Sequence, residues 1–353
     1  MALSIQYIAA NRLKELESDW KSLESGQDMT LFQTFAWNNL LLEHYVPQDS
    51  QYFESLFAIV KQDNIIRLIA PLWITKKRFN FINKKGVYIL GRDSYSDYLN
   101  MVYEEFSPDM ISTILKDIKN KYKLNHFIFE QIREKSTLYQ YLSGFYKLEN
   151  LKKEPCVKLQ LPKTIEEYHK QLSKHSRQNL RTANNRLSKD NKSINFNMDD
   201  FRIDKQKCLD IRESKLFVQY QKVPYIKKFK YRFINKLRFH FPRFTPITDF
   251  NQSKFMAAYI DGHLCAFFNY AYDEPHKRIV IMAAGTDLTF ARYSPGMLLM
   301  YNFIKQCIQE GSYEEIDFTR GDEPYKFALG GELNYNCSFR ITLKPSDTQL
   351  LHY

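Results

Sequence analysis

The sequence predicts an α/β (α+β) protein made of two tandem domains, each a mixed and mostly antiparallel sheet flanked by helices. Three observations predict this class. The chain has 353 residues, which is enough for two domains of ordinary size. Its apolar residues alternate between the spacing of strands and that of helices. The order of these segments in residues 56–130 is repeated in residues 255–319. We expect the domains to span residues 1–155 and 156–353.

The first half supplies the elements of one domain. Two helical segments, a hairpin and a third strand are predicted at 10–23, 32–45, 56–72 and 87–90. Ser107-Pro108-Asp109-Met110 then opens a helix that ends near residue 122, because serine is a good N-cap and proline fits the first helical position. A strand at 127–130 follows.

The second half repeats that order. Its hairpin, third strand and last strand are predicted at 255–270, 279–284 and 316–319. Between the last two strands, Ser294-Pro295-Gly296-Met297 opens a helix that ends at Gly311. The segment that joins the halves is predicted to be a linker at 151–162 followed by one long helix over 165–187.

The helix that follows Ser294 begins like an anion-binding site. The first turn of a helix presents free backbone N–H groups and the positive end of the helix dipole. Gly296 has no side chain to obstruct an anion, and Arg292 adds a positive charge. In the first half Asp109 takes the place of Gly296, and its carboxylate repels a phosphate. We therefore predict that only the second domain binds an anionic cofactor, although the same pattern also occurs without a ligand.

The formal net charge of +11 is concentrated in one segment. Residues 216–244 contain eight Lys or Arg, nine Phe or Tyr and no acidic residue. The first interpretation is an amphipathic helix near 226–237 that packs on the core. Contact with a membrane surface, with nucleic acid or with the phosphates of a nucleotide-bearing substrate remains open.

Other features exclude several classes of protein. No apolar run is long enough to cross a membrane, so we expect a soluble, cytoplasmic protein. The five cysteines are widely spaced, and we expect them to be buried thiols. Neither a metal motif nor a nucleophile motif is present, so no metal is predicted.

Several motifs resemble a known superfamily. Arg292-Tyr293-Ser294-Pro295-Gly296-Met297 with its helix, and the run IDFTRGDEPYK at 316–326, resemble the carboxyl-terminal half of the Gcn5-related N-acetyltransferase (GNAT) superfamily. The chain is more closely similar to the branch with two tandem acetyltransferase-like domains, which includes cellulose-biosynthesis-type acetyltransferases and is akin to Fem-type aminoacyl transferases. Residues 174–187 and Asp97-Tyr98-Leu99 also resemble that branch. Only Arg292 and Gly296 match the usual phosphate-loop pattern.

This resemblance implies an acyl-coenzyme A donor, a primary amine acceptor and direct transfer. It implies that the cofactor site of the first domain is degenerate. In the second domain it places the pantetheine along the strand that ends at Ala283-Ala284. The residues expected to hold the pyrophosphate are Arg292, Tyr293, Ser294, Gly296 and Met297.

Three residues are candidates for proton transfer. Tyr325 follows the last strand, where the superfamily often has the tyrosine that protonates the leaving thiolate. Asp317 and Asp322 flank that strand and are candidates to take the proton of the amine. Other roles stay open at this point: Tyr325 as a packing residue, Asp317 as an inward-facing group that binds backbone, and Asp322 as a helix cap.

The acceptor that this resemblance suggests is a nucleotide-linked amino sugar, such as a dTDP-3-amino-3,6-dideoxyhexose of bacterial surface polysaccharide or lipopolysaccharide. The acyl group is acetyl, 3-hydroxybutanoyl or similar. The residues expected to face this acceptor are Asp97, Tyr98, Arg177, Arg320 and Lys326. Two alternatives are a Fem-type transferase that uses aminoacyl-tRNA for peptidoglycan, and a non-catalytic protein that makes peripheral contact with a membrane.

Overall fold

The computed structural model describes residues 3–44, 53–75, 86–91, 95–221 and 250–344. The chain divides into two compact units, unit 1 (Met1–Pro155 with Asn334–Tyr353) and unit 2 (Cys156–Leu333). This division differs from the prediction in one respect, since residues from 334 onward were expected in the second domain. They join unit 1 because strand β13 (Glu332–Thr342) pairs with β6 (His126–Arg133) from Asn336 to Thr342.

The described strands of unit 1 form a sheet in the order β1-β2-β3-β4-β6-β13, with β5 beside β3. The strands not yet given are β1 (Leu3–Ala9), β2 (Phe53–Gln62), β3 (Ile65–Thr75), β4 (Val87–Ile89) and β5 (Val102–Tyr103). Every pair is antiparallel except β4 with β6. The predicted hairpin turn is present at Asp63 and Asn64, whose φ angles of 53° and 65° lie in the left-handed region.

The helices of unit 1 cover its sheet. They are α1 (Glu17–Leu23), α2 (Phe35–His44), α3 (Pro108–Tyr122) and α4 (Thr137–Phe145). The helix predicted at 10–23 is divided, because Ala10–Leu16 is a 3-10 helix with a kink at Arg12. Helix α3 buries Ile111, Ile114 and Ile118 completely, as an apolar stripe requires.

The described strands of unit 2 form a sheet in the order β7-β12-β11-β10-β9-β8. They are β7 (Glu149–Gln160), β8 (Ile194–Asn197), β9 (Lys254–Ile260), β10 (His263–Asp273), β11 (Arg278–Thr286) and β12 (Glu315–Arg320). Only β11 and β12 are parallel. The predicted linker at 151–162 is wrong, because most of it is β7, in which Leu159 pairs with Ile316 of β12.

The helices of unit 2 also differ from the prediction at one point. They are α5 (Ile165–Gln171), α6 (Lys174–Lys189), α7 (Lys205–Gln221), α8 (Pro295–Glu310) and α9 (Pro324–Ala328). The long helix predicted at 165–187 breaks at Leu172 and Ser173, which are extended, and the Ser173 side chain caps α6 by accepting from the Ser176 N–H. Helix α8 follows the prediction in two respects. Its apolar stripe is buried, and Gly311 forms its C-cap with a φ of 65°.

Three further predictions concern membrane-spanning helices, the cysteines and the basic segment. No described helix is long and apolar enough to span a membrane. All five cysteines are buried and unpaired by disulfides. The basic helix predicted near 226–237 lies outside the described residues.

Candidate active site

Strands β11 and β12 pair only at their N-terminal ends. Their ladder consists of three pairs and ends with Val280 opposite Asp317, although β11 continues to Thr286. On its other side β11 remains paired with β10, where a register shift leaves Met282 as an extra residue. Beyond Val280, therefore, one edge of β11 has no strand beside it among the residues that the structure describes.

Thr319 lies where the two strands part. Its hydroxyl donates to the Ile281 carbonyl at 3.1 Å, and its N–H donates to the Asp317 carboxylate at 2.8 Å. Its φ of 56° is unusual for a β-branched residue and turns the end of β12 away from a regular strand. The sequence analysis missed Thr319, because nothing in the residue pattern signals a left-handed threonine.

The start of α8 offers two backbone donors. Ser294 has φ 49° and ψ 48° and makes no side-chain cap, and its carbonyl accepts the Leu298 N–H at 3.1 Å. Pro295 has no N–H. The N–H groups of Gly296 and Met297 have no acceptor within the described part of the chain. Two adjacent amides at the positive end of a 16-residue helix can bind an anion.

Gly296 has a packing role in addition to the predicted one. A Cβ atom at this position would lie 2.8 Å from the Thr286 hydroxyl oxygen and 3.8 Å from the Ala266 Cβ. The glycine therefore lets the helix start pack directly on the end of β11. The same packing brings the two unpaired amides next to Thr286, the last residue of β11.

The loop before α8 is fastened to the end of α6. Tyr293 is buried, and its hydroxyl donates to the Asp190 carboxylate at 2.7 Å, a bond that raises the pKa of the phenol. Arg292 pairs with the same carboxylate at 3.1 Å while its side chain stays 60% exposed. The Arg292 carbonyl accepts from Arg186 at 2.8 Å. Sequence reasoning missed Asp190, which lies just beyond the long helix predicted at 165–187.

The strand that carries Ala283 and Ala284 has two different faces at these residues. Ala283 is buried, whereas Ala284 is partly exposed. They lie opposite Asn269 and Phe268 of β10, just after the bulge at Met282. The structure thus places both predicted residues on the part of β11 that has left the β12 ladder.

Asp317 and Asp322 have contrasting environments. Asp317 is completely buried, and its carboxylate pairs with Lys158 at 3.1 Å as well as accepting from Thr319. This arrangement favours the inward-facing alternative over a role as base. Asp322 is exposed, and among the described residues it makes no hydrogen bond or ion pair. It does not cap α9 either, because the N-cap residue is Glu323.

Tyr325 is the second residue of α9 and packs between aromatic rings. Its ring centroid lies 6.3 Å from those of Phe268 and Phe318. Burial, and then the charge of Glu323, raise the pKa of its phenol above the ordinary value. The phenol therefore keeps its proton at neutral pH, as a proton donor must.

The residues of unit 1 that were expected to face the acceptor have structural contacts. Tyr98 is 2% exposed, and its ring meets that of Phe32 edge-on at 5.7 Å. This environment corrects the prediction, since a ligand has no access to the side chain. Asp97 is partly exposed, and its carbonyl accepts from Asn336 at 2.6 Å.

Three cations of unit 2 were expected to face the acceptor, and two of them bind backbone carbonyls instead. Arg177 donates to the carbonyls of His169 and Leu172 at 2.9 and 2.7 Å and so closes the end of α5. Lys326 is 3% exposed, and its ammonium binds backbone carbonyls. Both differ from the prediction. Arg320 is partly exposed at the end of β12.

The described residues contain no group of three or more His, Cys, Asp or Glu side chains that could hold a metal ion.

Comparisons with known proteins agree with this architecture. The acetyltransferase (GNAT) domain family matches residues 248–327, which include β11, the loop, α8, β12 and most of α9. No curated protein sequence matches the chain.

Solved structures with the same fold have little sequence identity to the chain. FemX is 12% identical with a TM-score of 0.57 and covers 99% of both chains. A tandem GNAT protein from the clavulanic acid biosynthesis pathway is 9% identical with a TM-score of 0.50, covering 98% of this chain and 99% of that one. The C-terminal domain of a putative lysylphosphatidylglycerol synthetase from Agrobacterium fabrum is 13% identical with a TM-score of 0.50, covering 96% and 95%.

The predicted resemblance and fold class are thereby confirmed. Residues 248–327 match the acetyltransferase (GNAT) domain family, and the fold of the whole chain is similar to that of FemX and of a tandem GNAT protein.

Proposed function

We propose that unit 2 transfers an acyl group from acyl-coenzyme A to a primary amine by direct attack. The observation that carries this proposal is the pair of unpaired amides of Gly296 and Met297, next to the end of β11, a strand that outlasts its ladder with β12. A diphosphate fits two convergent N–H groups at a helix start, and Arg292 lies close enough in the chain to add its charge.

The open edge of β11 suits the remainder of the donor. Beyond Val280 the ladder with β12 has ended, and apart from the Ile281 carbonyl, which accepts from the Thr319 hydroxyl, the backbone groups on this edge are available to an extended pantetheine chain. Acyl-coenzyme A supplies the thioester, and an N–H from the stretch at Ala283 and Ala284 would stabilise the charge that grows on the thioester oxygen.

Proton transfer requires one acid and one base. Tyr325 is the proposed acid for the leaving thiolate, because it lies in the first turn of α9, just after β12. Asp322 is the proposed base, directly or through a water, because its carboxylate is exposed whereas that of Asp317 is buried against Lys158. The two residues are three positions apart at the same end of β12.

The acceptor that we propose is a nucleotide-linked amino sugar such as a dTDP-3-amino-3,6-dideoxyhexose, because the net charge of +11 suits an anionic substrate. Arg320 remains the proposed contact in unit 2, since Arg177 and Lys326 bind backbone carbonyls. A cytoplasmic location, where reduced thiols persist, is part of this proposal. The Fem-type alternative would replace acyl-coenzyme A with aminoacyl-tRNA.

A thermal-shift panel tests the donor. We expect coenzyme A at about 100 times its Kd to stabilise the native state by about 2.7 kcal/mol, which raises the Tm by roughly 5–11 °C in a unit of this size. Pantetheine, which lacks the diphosphate, serves as the matched control and should give a much smaller shift. Stabilisation by bulk tRNA or anionic vesicles, with none by coenzyme A, would replace this proposal with one of the alternatives.

The acceptor is tested by thiol release from acetyl-coenzyme A and 3-hydroxybutanoyl-coenzyme A. The dTDP-linked 3-amino sugar is compared with the same sugar without its nucleotide, and with glucosamine and lysine. We expect the nucleotide-linked amine to give the highest kcat/KM. Equal rates with the free amino sugar would contradict the nucleotide part of the proposal and leave acyl transfer standing.

A further inference from the structure

Lys326 is a buried lysine whose ammonium is fully engaged. Its Nζ atom donates to the carbonyls of Phe318, Arg320 and Gly321 at 3.1, 2.8 and 3.0 Å, and the Glu323 carboxylate lies 2.9 Å away. An ammonium has three donors, so three carbonyls and one counter-charge satisfy it completely. Burying a charge is unfavourable unless it is paired and hydrogen-bonded in this way.

These carbonyls belong to an irregular turn that ends β12. Thr319 and Gly321 have φ angles of 56° and 100°, so the backbone does not continue a strand and its carbonyls turn toward one point. On the opposite side the turn is fixed to β11 through the Thr319 hydroxyl. The turn at residues 318–321 is therefore bonded on one side to the Lys326 ammonium. On the other side it is bonded to β11, at the point where β11 and β12 separate.

Lys326 also lies beside Tyr325 in the short helix α9. This helix has five residues, and its N-cap, Glu323, makes no side-chain cap bond. A single helical turn is unstable without tertiary contacts. The contacts of the helix include the ring packing of Tyr325, the Lys326 ammonium and the Gly331 N–H, which donates to the Lys326 carbonyl at 3.0 Å. At its C-cap the Tyr168 hydroxyl donates to the Leu329 carbonyl at 3.1 Å.

We propose that Lys326 is a positioning residue for acyl transfer. Lys326 fixes helix α9 to the turn at the end of β12 and thereby determines the position of the Tyr325 phenol. This inference rests on the proposed function, because it concerns the step in which Tyr325 protonates the leaving thiolate. In that step the amine nitrogen bonds to the acyl carbon and gives its proton to the Asp322 carboxylate, directly or through a water, while the bond between the acyl carbon and sulfur breaks and the phenol proton goes to sulfur. Lys326 touches none of these atoms.

The test is a double-mutant cycle between Lys326→Met and Tyr325→Phe. Rates are measured as thiol release from acetyl-coenzyme A, with the best amine of the panel or with water as acceptor. We expect Lys326→Met to lower kcat about 10- to 50-fold while the KM for acetyl-coenzyme A changes less than twofold. In the Tyr325→Phe background the same substitution should lower kcat less than twofold, because its effect passes through the phenol. Lys326→Arg should recover part of the loss.

Controls separate the possible failures. Exposed Lys163→Met is the matched control and should leave kcat unchanged. Calorimetric titration with coenzyme A gives the fraction of folded sites in each variant. If Lys326→Met lowers kcat equally in both backgrounds, or only in proportion to lost sites, Lys326 is a structural residue and the inference is overturned. If wild-type protein does not bind coenzyme A, the proposed function itself fails, whatever Lys326 does.

Discussion

Helix α3 of unit 1 and helix α8 of unit 2 both begin with the dipeptide Ser-Pro, but the residues around the two helix starts differ. In unit 1, Ser107 is extended, with φ −132° and ψ 117°, and Asp109 lies exposed in the first turn of α3. In unit 2, Ser294 is left-handed and Gly296 is buried against Thr286. A carboxylate at the N-terminus of a helix interacts with the same positive end of the helix dipole that would attract a phosphate. Asp109 takes this position in α3, whereas the start of α8, in the residues that the structure describes, has no acidic side chain and two amides without an acceptor.

The strands beside these helices also differ, in their length and in how far they extend beyond their parallel partner. Strand β4 has three residues, and its parallel ladder with β6 consists of two pairs, whereas β11 has nine residues and outlasts its three-pair ladder with β12. Within the described residues, only the second arrangement leaves a long strand edge for an extended ligand. The two units therefore differ at the two features that the proposed donor binding requires, the helix start and the free strand edge.

The largest expected effect concerns the helix that follows β6 in unit 1 and the helix that follows β12 in unit 2. Leu138, the second residue of α4, is completely buried, and the corresponding second residue of α9 is Tyr325. We expect Tyr325→Phe to lower kcat by about 10²-fold through loss of the proton donor, with the Kd for coenzyme A unchanged. The measurement is thiol release together with calorimetric titration.

Tyr313→Phe provides the matched control, because its hydroxyl bonds Glu274 outside the proposed site. Unchanged turnover in Tyr325→Phe would show that the tyrosine is a packing residue, which is the other role considered for it.

The second effect transfers the acidic residue of unit 1 into unit 2. Gly296→Asp should weaken coenzyme A binding by ~2 kcal/mol, about 30-fold, because it adds a negative charge at the diphosphate position. Any side chain here also meets the Thr286 hydroxyl, so Gly296→Ala is the matched control for steric strain. Titration calorimetry compares the two variants. Equal weakening by alanine and aspartate would assign the effect to packing and remove the electrostatic explanation.

The sequence predicted the repeated order of elements and the residues at the helix starts, because caps, turns and apolar periodicity are local signals. It could not predict the packing role of Gly296, which depends on Thr286, ten residues earlier in the chain and brought to it by folding. The same holds for Lys326, whose position in the motif suggested a ligand contact, whereas its environment is a set of backbone carbonyls. The linker at 151–162 was misread because the partners of β7 lie far away in the sequence.

The smallest expected effect is also the most informative about unit 1. If Asp109 alone prevented donor binding there, Asp109→Gly would create a second site. We expect no such gain, because the residue before Pro108 is extended and β4 ends at Ile89, so the turn geometry and the strand edge of unit 2 are both missing. Calorimetric titration of Asp109→Gly with coenzyme A should give one site per chain and a Kd within twofold of wild type. Asp109→Asn, which removes the charge but keeps the side chain, should behave identically. A second site in either variant would mean that charge alone separates the two units.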